Sequence, residues 1–128
     1  MEDANVLAKL IEEMRQESIL KLAEQIEKLN KLNYIQWKRD IQLLLIRAKI
    51  WNVITNEPPK VFDEKWEAAD DMALLHIHLA CTPEFKSMIA DCPNAKEAWN
   101  KLRSNHDRYN AASLNRLTDD FINATNKG

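Results

Sequence analysis

The chain has 128 residues, a formal net charge of −2 from 18 basic and 20 acidic side chains, and one glycine, which is its last residue. That length holds one domain with a real core and is too short for two. Without internal glycine there is no phosphate-cradling loop and little turn chemistry for a sheet, so the composition points to an all-α protein whose breaks are made by Pro and Asn.

Residues 1–30 carry −3, residues 31–60 carry +4 and residues 61–128 carry −3. A middle excess of that size is modest for a dedicated nucleic-acid domain. Two cysteines, Cys81 and Cys92, with no signal peptide ahead of them, predict free thiols in a reducing, cytoplasmic setting. The longest apolar run, Ile41–Ile46, is interrupted by Gln42 and falls far short of a membrane span, so no membrane partner is expected.

Residues 4–16 read as an amphipathic helix with Val6, Leu7, Leu10, Ile11 and Met14 on one side. A second stripe follows at Ile19, Leu22, Ile26 and Leu29. The phase shifts near Ser18, which predicts a bend or short turn there, with one bent helix as the alternative. Residues 1–25 are therefore set apart as a helical arm, and 26–128 as the helical domain proper.

The organising element is predicted over Asn33–Ile54. Asn33 is placed to cap it, Gln36 to bond back to the cap, and Leu32 to staple onto Trp37. Trp37, Ile41, Leu44, Ala48 and Trp51 form one apolar face, and Leu43, Ile46, Ile50, Val53 and Ile54 a second. A helix apolar on two sides is central, or has a partner outside its own domain. Pro58 and Pro59 forbid its continuation.

Asp63 reads as the cap of a helix to about Cys81, with Trp66, Ala69, Ala73, Ile77 and Ala80 inward. Thr82-Pro83 opens a short helix to about Ala90. Asn94 and Glu97 form a second capping box ahead of Ala95, Ala98, Trp99, Leu102, His106 and Tyr109. A break is predicted at Asn110–Ser113, then a last helix with Leu114, Leu117, Phe121 and Ile122 inward. The whole is a compact bundle of about five to six helices. Its core candidates are Trp37, Ile41, Leu44, Ala48, Trp51, Trp66, Ala73, Trp99, Leu102 and Phe121. The four tryptophans fall on inward stripes among apolar neighbours, whereas a stacking platform for single-stranded nucleic acid wants exposed rings among Lys and Arg.

Little here resembles catalytic machinery. His76 and His78 are two apart and diverge on a helix, so only His78 and Cys81 could share an ion. Asp70-Asp71, Asp119-Asp120, Glu64 and Glu67 fit solvated faces rather than an acid/base pair. No catalytic residue, metal or cofactor is expected.

The pattern L-N-x-x-N-Y-x-x-W-K-x-x-I-x-x-L-L, running from Leu29 to Leu45, resembles the start of the Gag polyprotein of copia-type LTR retrotransposons and their domesticated relatives. Trp66-x-x-Ala69, the His76–Leu79 run, A-K-E-A-W-x-x-L at Ala95–Leu102, and Tyr109 with S-L-x-x-L at Ser113–Leu117 follow in the expected order. The resemblance covers about residue 26 onward. It implies a capsid-like bundle whose partner is itself, a homo-oligomer built through helix contacts. Lys31 stands where the family usually has glycine, so a helical entry to the Asn-Tyr motif is expected. The zinc knuckle that binds RNA in Gag proteins has no counterpart in these residues, so RNA is expected only indirectly. Assembly candidates are Leu7, Leu10, Ile11 and Met14 on the arm and Leu43, Ile46, Ile50 and Val53 on the central helix. The arm is expected to serve assembly more than the fold. The alternative function is nucleic-acid binding through the basic strip of residues 31–60, with Lys38, Arg39, Arg47 and Lys49 as the contacts.

Overall fold

The computed structural model describes residues 2–126, with the side chains of 3–112 and of Arg116. The described chain is all-α and forms six helices: α1 Glu2–Gln25, α2 Tyr34–Arg47, α3 Asn52–Thr55, α4 Glu64–Leu79, α5 Pro83–Met88 and α6 Ala95–Asn126. α4 packs on α6, α3 on both α4 and α6, and α2 on both α1 and α4.

The predicted central helix is two helices. α2 ends at Arg47, and Lys49 adopts φ 63°. The N–H of Lys49 bonds Ile46 O and that of Ile50 bonds Leu45 O, each at 2.9 Å. This is a Schellman termination, with lysine in the left-handed position glycine usually takes. The turn redirects the chain so that Val53 and Ile54 of α3 enter the core.

The expected entry to α2 is also different. Asn33 makes no side-chain cap. Its Oδ1 accepts from Asn30 N–H at 2.8 Å and its Nδ2 donates to Lys28 O at 3.0 Å, so the amide closes the preceding turn instead. Gln36 donates to Asp40 rather than back to the cap, and Leu32 is 92% exposed and staples nothing. The entry to the Asn-Tyr motif is a non-helical segment, not a helix.

Two predicted breaks are absent. α1 runs unbroken through Ser18, whose hydroxyl donates to Met14 O at 3.0 Å, a local bond a helix tolerates. α6 runs unbroken through Asn110–Ser113, which contain neither Pro nor Gly to stop it.

Other ends follow local chemistry. Asp63 caps α4 by accepting from Lys65 and Trp66 N–H. Asn94 accepts from Glu97 N–H at 2.8 Å, one half of the expected box. The first N–H of α6, at Ala95, is met from another helix: Asp70 of α4 accepts it at 2.8 Å. Thr82 does not cap α5; its hydroxyl donates to Leu29 O at 2.7 Å.

That last bond belongs to a clasp. Leu29 N–H donates to Ala80 O at 2.7 Å, and Thr82 N–H returns to Leu29 O at 3.2 Å, pairing Leu29 with Cys81 in a short parallel bridge. The Trp37 indole N–H donates to the same Ala80 carbonyl at 2.8 Å. The segment joining α1 to α2 is thereby fixed to the α4–α5 connection.

The core gathers Leu29, Trp37, Ile41, Leu44, Leu45, Ala73, Ile77, Ile89, Trp99 and Leu102, all buried. Ala48, Trp51 and Trp66 of the expected core are half-buried, and Phe121 lies outside the described side chains. Rings line up across the body. His106 stacks on Tyr34 at 4.3 Å, Tyr34 lies 6.3 Å from Trp37, Trp37 6.0 Å from Trp99, and Trp51 meets Trp99 edge-on at 5.2 Å. Offset and edge-on pairs of this kind add to the burial of the rings themselves.

Candidate functional site

α1 carries two apolar stripes on one straight helix. Ile19, Leu22 and Ala23 pack against the core. At about 100° per residue, Val6, Leu7, Leu10, Ile11 and Met14 centre on a direction about 140° around the helix from that docked face. They are correspondingly open to solvent: Leu7 is 58% exposed, Leu10 50% and Met14 66%. The phase shift at Ser18 thus means two faces of one helix rather than a bend. The functional division falls inside α1. Its C-terminal half belongs to the core, and its N-terminal half presents apolar surface that none of the described residues covers.

The clasp holds this geometry. α1 is anchored at its C-terminal end through Leu29, and Arg15, Ser18, Ile19 and Leu22 line a cleft with Arg47, the last residue of α2. Folding the outer stripe back would require turning α1 about its axis and lifting Ile19 and Leu22 from the core.

The assembly candidates on the old central helix separate. Leu43 and Ile46 are 45% and 48% exposed, but Val53 is buried and Ile50 is partly buried against the core. Val53 is therefore a core residue, placed there by the turn at Lys49. Sequence reasoning missed Ile35, which is 50% exposed and continues the outer row of α2, and Leu45, which is fully buried. Ile35, Leu43 and Ile46 fall within about 80° of one another on α2, about 160° from its buried face, with Arg39 among them. That period was legible; it was obscured by reading α2 through to Ile54.

Of the basic residues proposed for nucleic acid, Arg39 and Arg47 share the outer side of α2, and the others do not join them. Lys38 and Arg47 are nine residues apart on α2, about 180° around it, and Lys38 is half-buried. Lys49 sits in the turn after the helix, and Lys31 lies 3.9 Å from Glu84.

Among the titratable side chains, burial raises Cys81 to about 11, and its Sγ is turned to Ile77 O at 3.2 Å. Burial also lowers His76 and raises Cys92 from their ordinary values. Burial raises Tyr34, with the Asp107 carboxylate adding to it. The hydrogen bond from Lys101, at 3.2 Å, holds Asp91 below the usual carboxylate range. Asp70 is engaged in capping α6. Among the described residues no three His, Cys, Asp or Glu side chains are grouped as a metal site would need.

No protein-family model, curated protein or solved structure matches the chain. Among the described residues, no helix is long and apolar enough to cross a membrane.

Proposed function

We propose that the chain is a self-assembling structural module of the capsid-like Gag type, and not an enzyme. One observation carries the reading: the row Val6, Leu7, Leu10, Ile11 and Met14 is held outward on a helix anchored to the body. An apolar row of this kind, fixed in place, is the mark of a protein–protein contact. It cannot be an unfolded tail collapsed at random, because the same helix contributes Ile19 and Leu22 to the core. The sequence likeness to copia-type Gag, from the NYxxW motif to AKEAW, gives such a contact its use: copies of one helical body joined into a shell.

The reading is tested by light scattering and negative-stain imaging of the purified chain as concentration is raised. Growth into regular particles or discrete oligomers is expected without added nucleic acid. A chain that stays monomeric until RNA is added, and whose RNA binding falls steeply with salt, would replace assembly by nucleic-acid binding.

A further inference from the structure

The self-assembly reading leaves open what surface receives the outer half of α1. Among the described residues three helices present exposed apolar rows: that half of α1, α2 with Ile35, Leu43 and Ile46, and α4 with Met72, Leu75 and Leu79; the α4 row runs beside the exposed acids Glu64 and Asp71 and does not suit an acidic partner. They differ in charge. Glu13 and Glu17, one turn apart, edge the α1 stripe, and the helix as a whole has Glu2, Asp3, Glu12, Glu13, Glu17 and Glu24 against Lys9, Arg15 and Lys21. Glu13 and Glu17 are exposed in one row with Lys9 and Lys21, and residues 2–17 as a whole carry five acids against Lys9 and Arg15. The α2 row has Arg39 within it and Arg47 at its margin, both exposed. An acidic-edged apolar ridge thus matches a basic-edged apolar ridge.

The two cannot meet in one chain, because the clasp and the docked half of α1 turn the stripe away from the body. We infer that the N-terminal half of α1 in one copy docks on the Ile35–Arg39–Leu43–Ile46 face of α2 in a second copy. This rests on the self-assembly reading and names its contact. Each copy offers a ridge and a receiving face at different places, so copies either exchange the contact reciprocally in a two-fold dimer or propagate it into rings or open arrays, as a shell requires. Opposite charges at the rim steer and register the docking, so association weakens as salt screens them.

The experiment is sedimentation of the full chain in four forms. Glu13→Lys with Glu17→Lys makes the ridge basic, and Arg39→Glu with Arg47→Glu makes the receiving face acidic. Each pair alone weakens association on the order of tenfold or more, the scale of like charges set against each other at an interface. Mixing the two variants restores association, because the basic ridge of one meets the acidic face of the other. A chain carrying all four substitutions associates as the wild type does. Leu43→Asp, which keeps both arginines, weakens association as well. Restoration on mixing needs both chains folded, so loss of structure cannot imitate it. Wild-type mass in both Arg39→Glu/Arg47→Glu and Leu43→Asp, with Leu10→Asp still disruptive, overturns the inference and leaves self-assembly standing. Failure of the mixture to recover overturns it too. A wild-type chain that never associates removes both.

Discussion

Trp37 donates its indole N–H to the carbonyl of Ala80 at 2.8 Å, across 43 positions of sequence. The same carbonyl takes the Leu29 N–H, so one oxygen joins the start of α2, the segment after α1, and the end of α4. The Trp37 side chain is 1% exposed. Trp37→Ala should cost about 3–5 kcal/mol, the range for emptying a large buried ring. Trp37→Phe keeps most of the ring but leaves Ala80 one donor short, and should cost less than Trp37→Ala yet at least the ~1 kcal/mol of the bond. Urea denaturation of the two variants beside wild type checks both figures and their order.

Asp70 gives a second, independent joint. Its carboxylate accepts the Ala95 N–H at 2.8 Å, so a residue in α4 caps α6. Asp70→Ala should cost about 0.5–2 kcal/mol, the range for a lost N-cap acceptor. Asp63→Ala, at the cap of α4 itself, should cost a similar amount by the same measurement, thermal or urea unfolding.

Lys49 sits at φ 63° in the Schellman turn, where a side chain costs about 1–2 kcal/mol. Glycine removes that strain but adds freedom to the unfolded chain, about 0.5–1 kcal/mol in the other direction. Lys49→Gly is expected to be neutral to about 1 kcal/mol stabilising. Lys49→Val is expected to destabilise, because a β-branched residue tolerates that conformation least. Urea midpoints of the pair decide it.

His76 ties stability to pH. Burial lowers it from the ordinary value of 6.5, so the unfolded chain takes up a proton at a pH where the fold does not. Stability from the neutral form is fully present above 6.5 and is lost as pH falls through that value toward the lower folded one. Glu24 and Lys28 line the cleft beside it. Melting temperature should fall as buffers are taken below 6.5, and His76→Gln should flatten that part of the profile. An identical slope in the variant would place the effect on other groups.

What was legible in the sequence was mostly local. Asp63 ahead of Trp66 reads as a cap because side chain and receiving N–H groups lie two and three residues apart. The spacing of Trp37, Ile41 and Leu44 reads as a buried face for the same reason. The breaks were illegible where tertiary contacts make or remove them. Nothing in Ala48-Lys49-Ile50 announces a helix end; the turn is held by burial of Val53 and Ile54 beyond it. Asn33 has a cap's composition, but its amide is taken up by Lys28 and Asn30. The phase shift at Ser18 was visible, and its meaning was not: only an unbroken helix with one end docked turns it into an outward face. Asp70 could not have been found as a cap, because its partner is 25 residues away.

The central claim is that the outer half of α1 joins copies of this chain. The most direct measurement is the mass of the full chain by sedimentation equilibrium, wild type beside Leu10→Asp, over a hundredfold range of concentration. Leu10 is 50% exposed, so the substitution spares the core. The account predicts a wild-type mass that climbs above the monomer with concentration, and a Leu10→Asp mass that stays lower at every point with the same helical content. A wild-type chain that remains monomeric throughout, or a Leu10→Asp chain that associates as well as wild type, would contradict it.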